Sequence, residues 1–182
     1  MDLHASTAAR RILAAAAVTC AAALAPAAAL ASPTPHAGAA RTAAPSCATS
    51  GLDVWLDTQG KAALGTTYYN LEFTNLSGSS CTLFGYPAVS AVTLTGTTLG
   101  SGSSPSGGTP HTVTLANGAT AHAVLGITDT ANFPPAQCHP VTAAGLRVYP
   151  PNQTASLFIA HADQGCANPA IVTLHVGPLQ PA

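Results

Sequence analysis

Four cysteines, Cys47, Cys81, Cys138 and Cys166, carry the plainest chemistry in this 182-residue sequence. The fifth, Cys20, lies in the N-terminal apolar run expected to be removed on export, and the even set of four that remains in an exported chain points to disulfides. Three pairings are open, and the pairing of sequence neighbours is expected: Cys47 with Cys81, Cys138 with Cys166. Each bridge would close a loop of roughly thirty residues, which the chain-entropy model values at about 3.5–4 kcal/mol. A zinc site fits poorly, because the chain has no C-x-x-C pair and no ligand knuckle spacing. No metal and no cofactor is expected.

The second group is Asp53, Trp55 and Asp57, which alternate with Leu52, Val54 and Leu56. On a strand, successive side chains face opposite ways, so the tryptophan shares a face with two carboxylates. An aromatic ring flanked by acceptors could act as a stacking platform for a sugar or a peptide. The alternative is a ring covered by a loop or a neighbouring strand. Asp53, Trp55 and Asp57 are the expected binding surface.

The remaining reactive residues do not assemble into a catalytic pattern. His111, His122, His139, His161 and His175 are scattered, and the chain has no G-x-S-x-G elbow. Two opposed carboxylates of the kind glycoside hydrolysis needs are not suggested either, since Asp53 and Asp57 lie on one strand. His139 follows Cys138, and His161 lies five residues before Cys166, so a 138–166 bridge could bring the two histidines together as a weak metal site. No catalytic residue is expected, and the chain reads as a non-enzyme.

Export is expected from the N-terminus. Arg10 and Arg11 precede an alanine-rich apolar run that ends in small residues at Ala29-Leu30-Ala31. That order is a secretory signal, with cleavage after Ala31. The arginine pair before Ile12-Leu13 leaves the Sec and twin-arginine routes both open. Thr19 precedes Cys20, where a lipoprotein signal would need a small residue. The expected organisation is therefore a signal peptide over 1–31, a disordered Pro/Ala-rich linker over 32–46, and one β-sandwich domain over 47–180.

After Ala31 three basic and five acidic side chains leave a net charge of −2. Without a basic patch, nucleic-acid binding is excluded. The mature chain is expected to be a monomer that keeps no stable membrane anchor. Its partner would be an envelope or extracellular ligand.

Short alternating runs must position these residues. Tyr69, Leu71 and Phe73 alternate with Asn70, Glu72 and Thr74, and Asn75, Ser77 and Gly78 then break the run. Cys81 and Leu83 resume it until Gly85 and Pro87. Val89 to Leu94 reads as a strand closed by Gly96, and Gly100–Pro110 as a flexible loop. Asn117-Gly118 reads as a hairpin turn between Val113-Leu115 and Ala121–Ile127. Leu146 with Val148, Leu157 with Ile159, and Val172, Leu174 and Val176 complete the set. Eight or nine short strands with no helical period predict an immunoglobulin-like antiparallel β-sandwich. A β-barrel is the alternative.

The stretches LEFTNLSGSSCTLFGYP (71–87), VTLANGATAHAVL (113–125), Cys138 with LRVYPP (146–151), and Cys166 with the final LHVGPL resemble an actinobacterial secreted family, domain of unknown function 4232. The resemblance implies a secreted β-sandwich and no established activity. Many members look like envelope lipoproteins. Cys20 lacks the lipoprotein context here, which favours free secretion.

The expected function is a secreted, non-catalytic interaction module. Two other readings are alternatives. One is a secreted hydrolase with a site assembled from loops. The other is a protease-inhibitor-like protein acting through Gly100–Pro110, which is too glycine-rich to be preorganised.

Overall fold

The computed structural model describes residues 43–182. The expected signal peptide, and the linker up to residue 42, lie outside the described residues. The strands are β1 Leu52–Leu56, β2 Lys61–Ala63, β3 Thr66–Asn75, β4 Cys81–Phe84, β5 Ala88–Val92, β6 Thr98–Leu99 and β7 Ser104–Pro105. They continue with β8 Thr112–Leu115, β9 Thr120–Thr128, β10 Pro140–Tyr149, β11 Leu157–Cys166, β12 Leu174–Val176 and β13 Gln180–Pro181. One helical turn, α1 Pro135–Cys138, carries Cys138.

The larger sheet runs β1-β3-β9-β12-β7, with β2 added to β3 and β13 to β9. The second runs β11-β10-β5-β6, and β4 pairs with β8 in a ladder of their own. The architecture is an all-β, immunoglobulin-like sandwich that does not close into a barrel. Leu71 and Phe73 of β3, Leu125 of β9, Leu83 of β4, Leu115 of β8 and Val148 of β10 meet in its core. Both expected disulfides are present, Cys47–Cys81 and Cys138–Cys166. Pairing is antiparallel in the main ladders, but β7 runs parallel to β12, through His175 opposite Ser104.

The expected Asn117-Gly118 hairpin turn and the break at Asn75–Gly78 are both corners between ladders. β3 pairs with β1 and β9, while β4 pairs with β8, so the Asn75–Gly78 turn carries the chain out of the large sheet. The Asn117-Gly118 turn carries it back, from β8 to β9. The turn has the expected chemistry, with Gly118 at φ +82°. What such a turn cannot reveal is whether the flanking strands pair with each other.

Asn75 locks the two corners together. Its fully buried side chain donates to the carbonyls of Ser79 at 2.8 Å and Leu115 at 3.0 Å. Its Oδ1 accepts from the Ser77 N–H and hydroxyl. Its backbone exchanges bonds with Ala119 and Gly118.

Three smaller expectations change. Leu94 is not in β5 but projects from the Thr93–Thr97 turn, where the Gly96 N–H donates to the Thr93 carbonyl. The Gly100–Pro110 segment is tied down. The Ser103 hydroxyl accepts from Val89, Ser101 and Ser106 donate to Ile171 and Val176, and the Tyr86 hydroxyl donates to the Gly108 carbonyl at 2.7 Å. Thr173, which alternates with Val172 and Leu174 and so would face outward on a regular strand, is buried, and its carbonyl accepts from the Thr128 N–H.

Candidate functional site

The outward face of the large sheet gathers the expected surface residues. β1 alternates as expected, with Leu52 and Val54 buried and Asp53 and Trp55 outward. Trp55 is 45% exposed. Asp57 lies just past the strand end, where its N–H donates to the Asn70 carbonyl and its Oδ1 accepts from the Gln59 N–H. One carboxylate oxygen of Asp57 is thus committed to its own turn.

Register adds residues that the sequence alone did not single out. Trp55 lies opposite Glu72 on β3, and Glu72 lies opposite His122 on β9. His122 in turn lies opposite Gln180 on β13. Four side chains from four strands thus form one cross-strand row. The row beside it runs Asp53, Thr74, Thr120, with the two threonine hydroxyls 2.9 Å apart. Residues directly opposite on one face are about 4.5–5.5 Å apart at Cβ, close enough to interact.

Glu72 is only 9% exposed despite its place on the polar face. Burial pushes its carboxyl above the usual carboxylate range. His122 pulls it back in part, and Asp57 pushes it further up. The carboxyl and the imidazole are cross-strand neighbours that influence each other's charge without forming an ion pair among the described contacts.

Beyond this row the face dips. An open depression of about 430 Å³ is lined by Asp57, Gln59, Lys61, Tyr68, Tyr69, Asn70 and Val124. The Tyr68 ring lies across Gly126, where a Cβ would come within 3.0 Å of it. The lining offers carboxylate, amide, ammonium and phenol groups beside exposed apolar surface.

The two histidines considered as a metal pair are not brought together. Pro140 lies opposite Cys166 and Gly145 opposite Ala160, so His161 sits well along β11 from the bridge that His139 flanks. His161 instead meets Tyr69 edge-on, with ring centres 5.2 Å apart, and approaches Asp163 at 3.9 Å. No group of three or more His, Cys, Asp or Glu able to hold a metal occurs among the described residues.

A family model described as "Domain of unknown function (DUF4232)" matches residues 47–180. The chain belongs to this family. No curated protein and no solved structure matches the chain. Membership in DUF4232 therefore accounts for the stretches around Cys81, Asn117-Gly118 and Cys166 without assigning them a role.

Proposed function

We propose that this DUF4232 domain is a secreted, non-catalytic interaction module, working outside the cell or in the envelope. Its binding surface is the outward face of the large sheet around Trp55, Asp53 and Asp57. The observation that carries the reading is the 45% exposure of Trp55 between two carboxylates on a sheet face. A large ring left half in water on a rigid strand is a platform for stacking. The two disulfides are compatible with an oxidising compartment. No helix among the described residues is long and apolar enough to cross a membrane. The basic-apolar-small order of residues 10–31, read as an export signal in the sequence, supports placement outside the cell.

One observation favours a hydrolase as the second reading, namely the raised pKa of Glu72 beside His122. It ranks second because Glu72 is nearly buried and does not line the neighbouring depression. The deciding experiment compares wild type and Trp55→Ala for retention on envelope material from the native host. Wild-type retention that the substitution weakens, at unchanged thermal stability, supports the module. Equal retention overturns it.

A further inference from the structure

The outward face of the second sheet differs from the first in chemistry. Arg147 of β10 projects there, between Phe158 of β11 and Ser90 of β5 as its register partners. Its Nη2 donates to the Gly96 carbonyl at 2.8 Å, which holds the guanidinium across the Thr93–Thr97 turn. Phe158, 59% exposed, lies over Gly145, whose absent Cβ would meet the ring at 2.6 Å and also strike the Ile159 carbonyl. Leu94, 92% exposed, stands on the turn beside them. Val92, Leu94, Arg147, Leu157 and Phe158 line an open hollow of about 330 Å³.

Among the described residues, no carboxylate lies within ion-pair distance of Arg147. Lys61 and Arg147 are the only lysine and arginine side chains in residues 43–182, and Lys61 belongs to the opposite sheet. A guanidinium has five donors in a planar fork that matches a carboxylate, and only one contact is used here. Among the described residues it therefore stands as a cation without a counter-charge, with apolar surface from Leu94, Leu157 and Phe158 on one hand and the hydroxyls of Thr93 and Ser156 on the other.

We propose that this hollow binds a single anionic amphiphile, namely a long-chain carboxylate. The carboxylate pairs with the Arg147 fork, and the hydrocarbon lies against Phe158, Leu94 and Leu157. Charge complementarity selects the head group, and the apolar walls select the tail. A bilayer of anionic lipid is the poorer occupant. Attraction to such a surface draws on several cations, whereas this domain offers one on that face and carries five acids overall. The site is separate from the Trp55 face, so neither depends on the other.

Isothermal titration of the exported protein with decanoate, below its aggregation concentration, tests the proposal. One saturable site is expected, with octanoate weaker. Decanol, which lacks the charge, should bind about tenfold more weakly, as should decanoate to Arg147→Gln, for the loss of a charge-assisted contact. Leu94→Ser, at a fully exposed turn position, should weaken decanoate several-fold without disturbing the fold. Undiminished binding to Arg147→Gln and Leu94→Ser, or no saturable binding by wild type, overturns the proposal. Arg147-dependent sedimentation with phosphatidylglycerol vesicles, without decanoate binding, also overturns it and points to a membrane surface.

Discussion

Asn75 and Leu115 are forty residues apart, and the Asn75 amide donates to the Leu115 carbonyl at 3.0 Å inside the sandwich. That bond joins the corner leaving the large sheet to the corner returning to it. Both amide donors and the amide oxygen are used, so the side chain reads the geometry of two turns at once.

Replacing Asn75 should therefore be costly. Asn75→Ala removes these side-chain bonds, takes the amide from the Leu115 carbonyl and leaves the Ser79 carbonyl only the Ser77 hydroxyl, at a cost of about 3–5 kcal/mol. Asn75→Asp keeps the shape but turns an acceptor toward those two carbonyls, so it should be no better than alanine at neutral pH. Urea unfolding of the two variants checks this. An aspartate variant as stable as wild type would show that the amide donors contribute nothing.

The disulfides give a second prediction. Cys47–Cys81 anchors the segment before β1 to β4, where Cys47 also donates to the Thr82 carbonyl. Cys138–Cys166 joins α1 to the end of β11. Serine replacement of either pair should cost about 2–5 kcal/mol, as expected for a small disulfide-bonded domain. Denaturant midpoints of each double variant measure it.

Much of this architecture was legible because it is local. The phase of Leu52, Val54 and Trp55 told which face the tryptophan takes. The inward run of Ala121, Ala123, Leu125 and Ile127 is buried as its alternation predicts. The cysteine pairing followed from neighbours in sequence. What was hidden is what strand pairing decides. Nothing near Glu72 says that His122, fifty residues on, will be its partner. Nothing near Asn117-Gly118 says that its flanking strands belong to different ladders. Glu72 alternates with the core residues Leu71 and Phe73, so its burial comes from neighbours across the sheet rather than from its own phase.

Glu72 yields a pH prediction. Its folded pKa lies above the ordinary value of 4.5, so the folded chain holds the proton more tightly than the unfolded chain. The resulting stabilisation is fully present below pH 4.5 and is lost as pH rises through the raised value. Glu72→Gln, neutral at every pH, should melt higher than wild type near pH 7, with the difference shrinking as the pH falls to 4. Melting curves across that range check the sign. A difference that grows toward acid would contradict a raised pKa.

Processing can be read by mass. The exported protein should begin at or near Ser32, following the small residues Ala29-Leu30-Ala31. Intact mass spectrometry of the culture supernatant measures this. A retained N-terminus, or a lipid mass on Cys20, would contradict free secretion.

Trp55 separates platform from core. Its neighbours Leu52 and Val54 are buried, while its own ring stays half in water on the opposite face. An exposed substitution usually changes stability by no more than about 0.5 kcal/mol, whereas a buried tryptophan truncated to alanine leaves a cavity costing roughly 3–5 kcal/mol. The observed exposure places Trp55→Ala near the first figure, with a melting temperature within a degree or two of wild type. Retention on envelope material should nevertheless fall, because the stacking surface is gone. Trp55→Phe keeps part of a ring and should recover part of the retention, which a merely lost bulk contact would not require. Melts and retention assays on the two variants resolve the alternatives. A large loss of stability with retention unchanged would make Trp55 a structural residue and leave the depression beside Tyr68 and Asn70 as the place to look for a ligand.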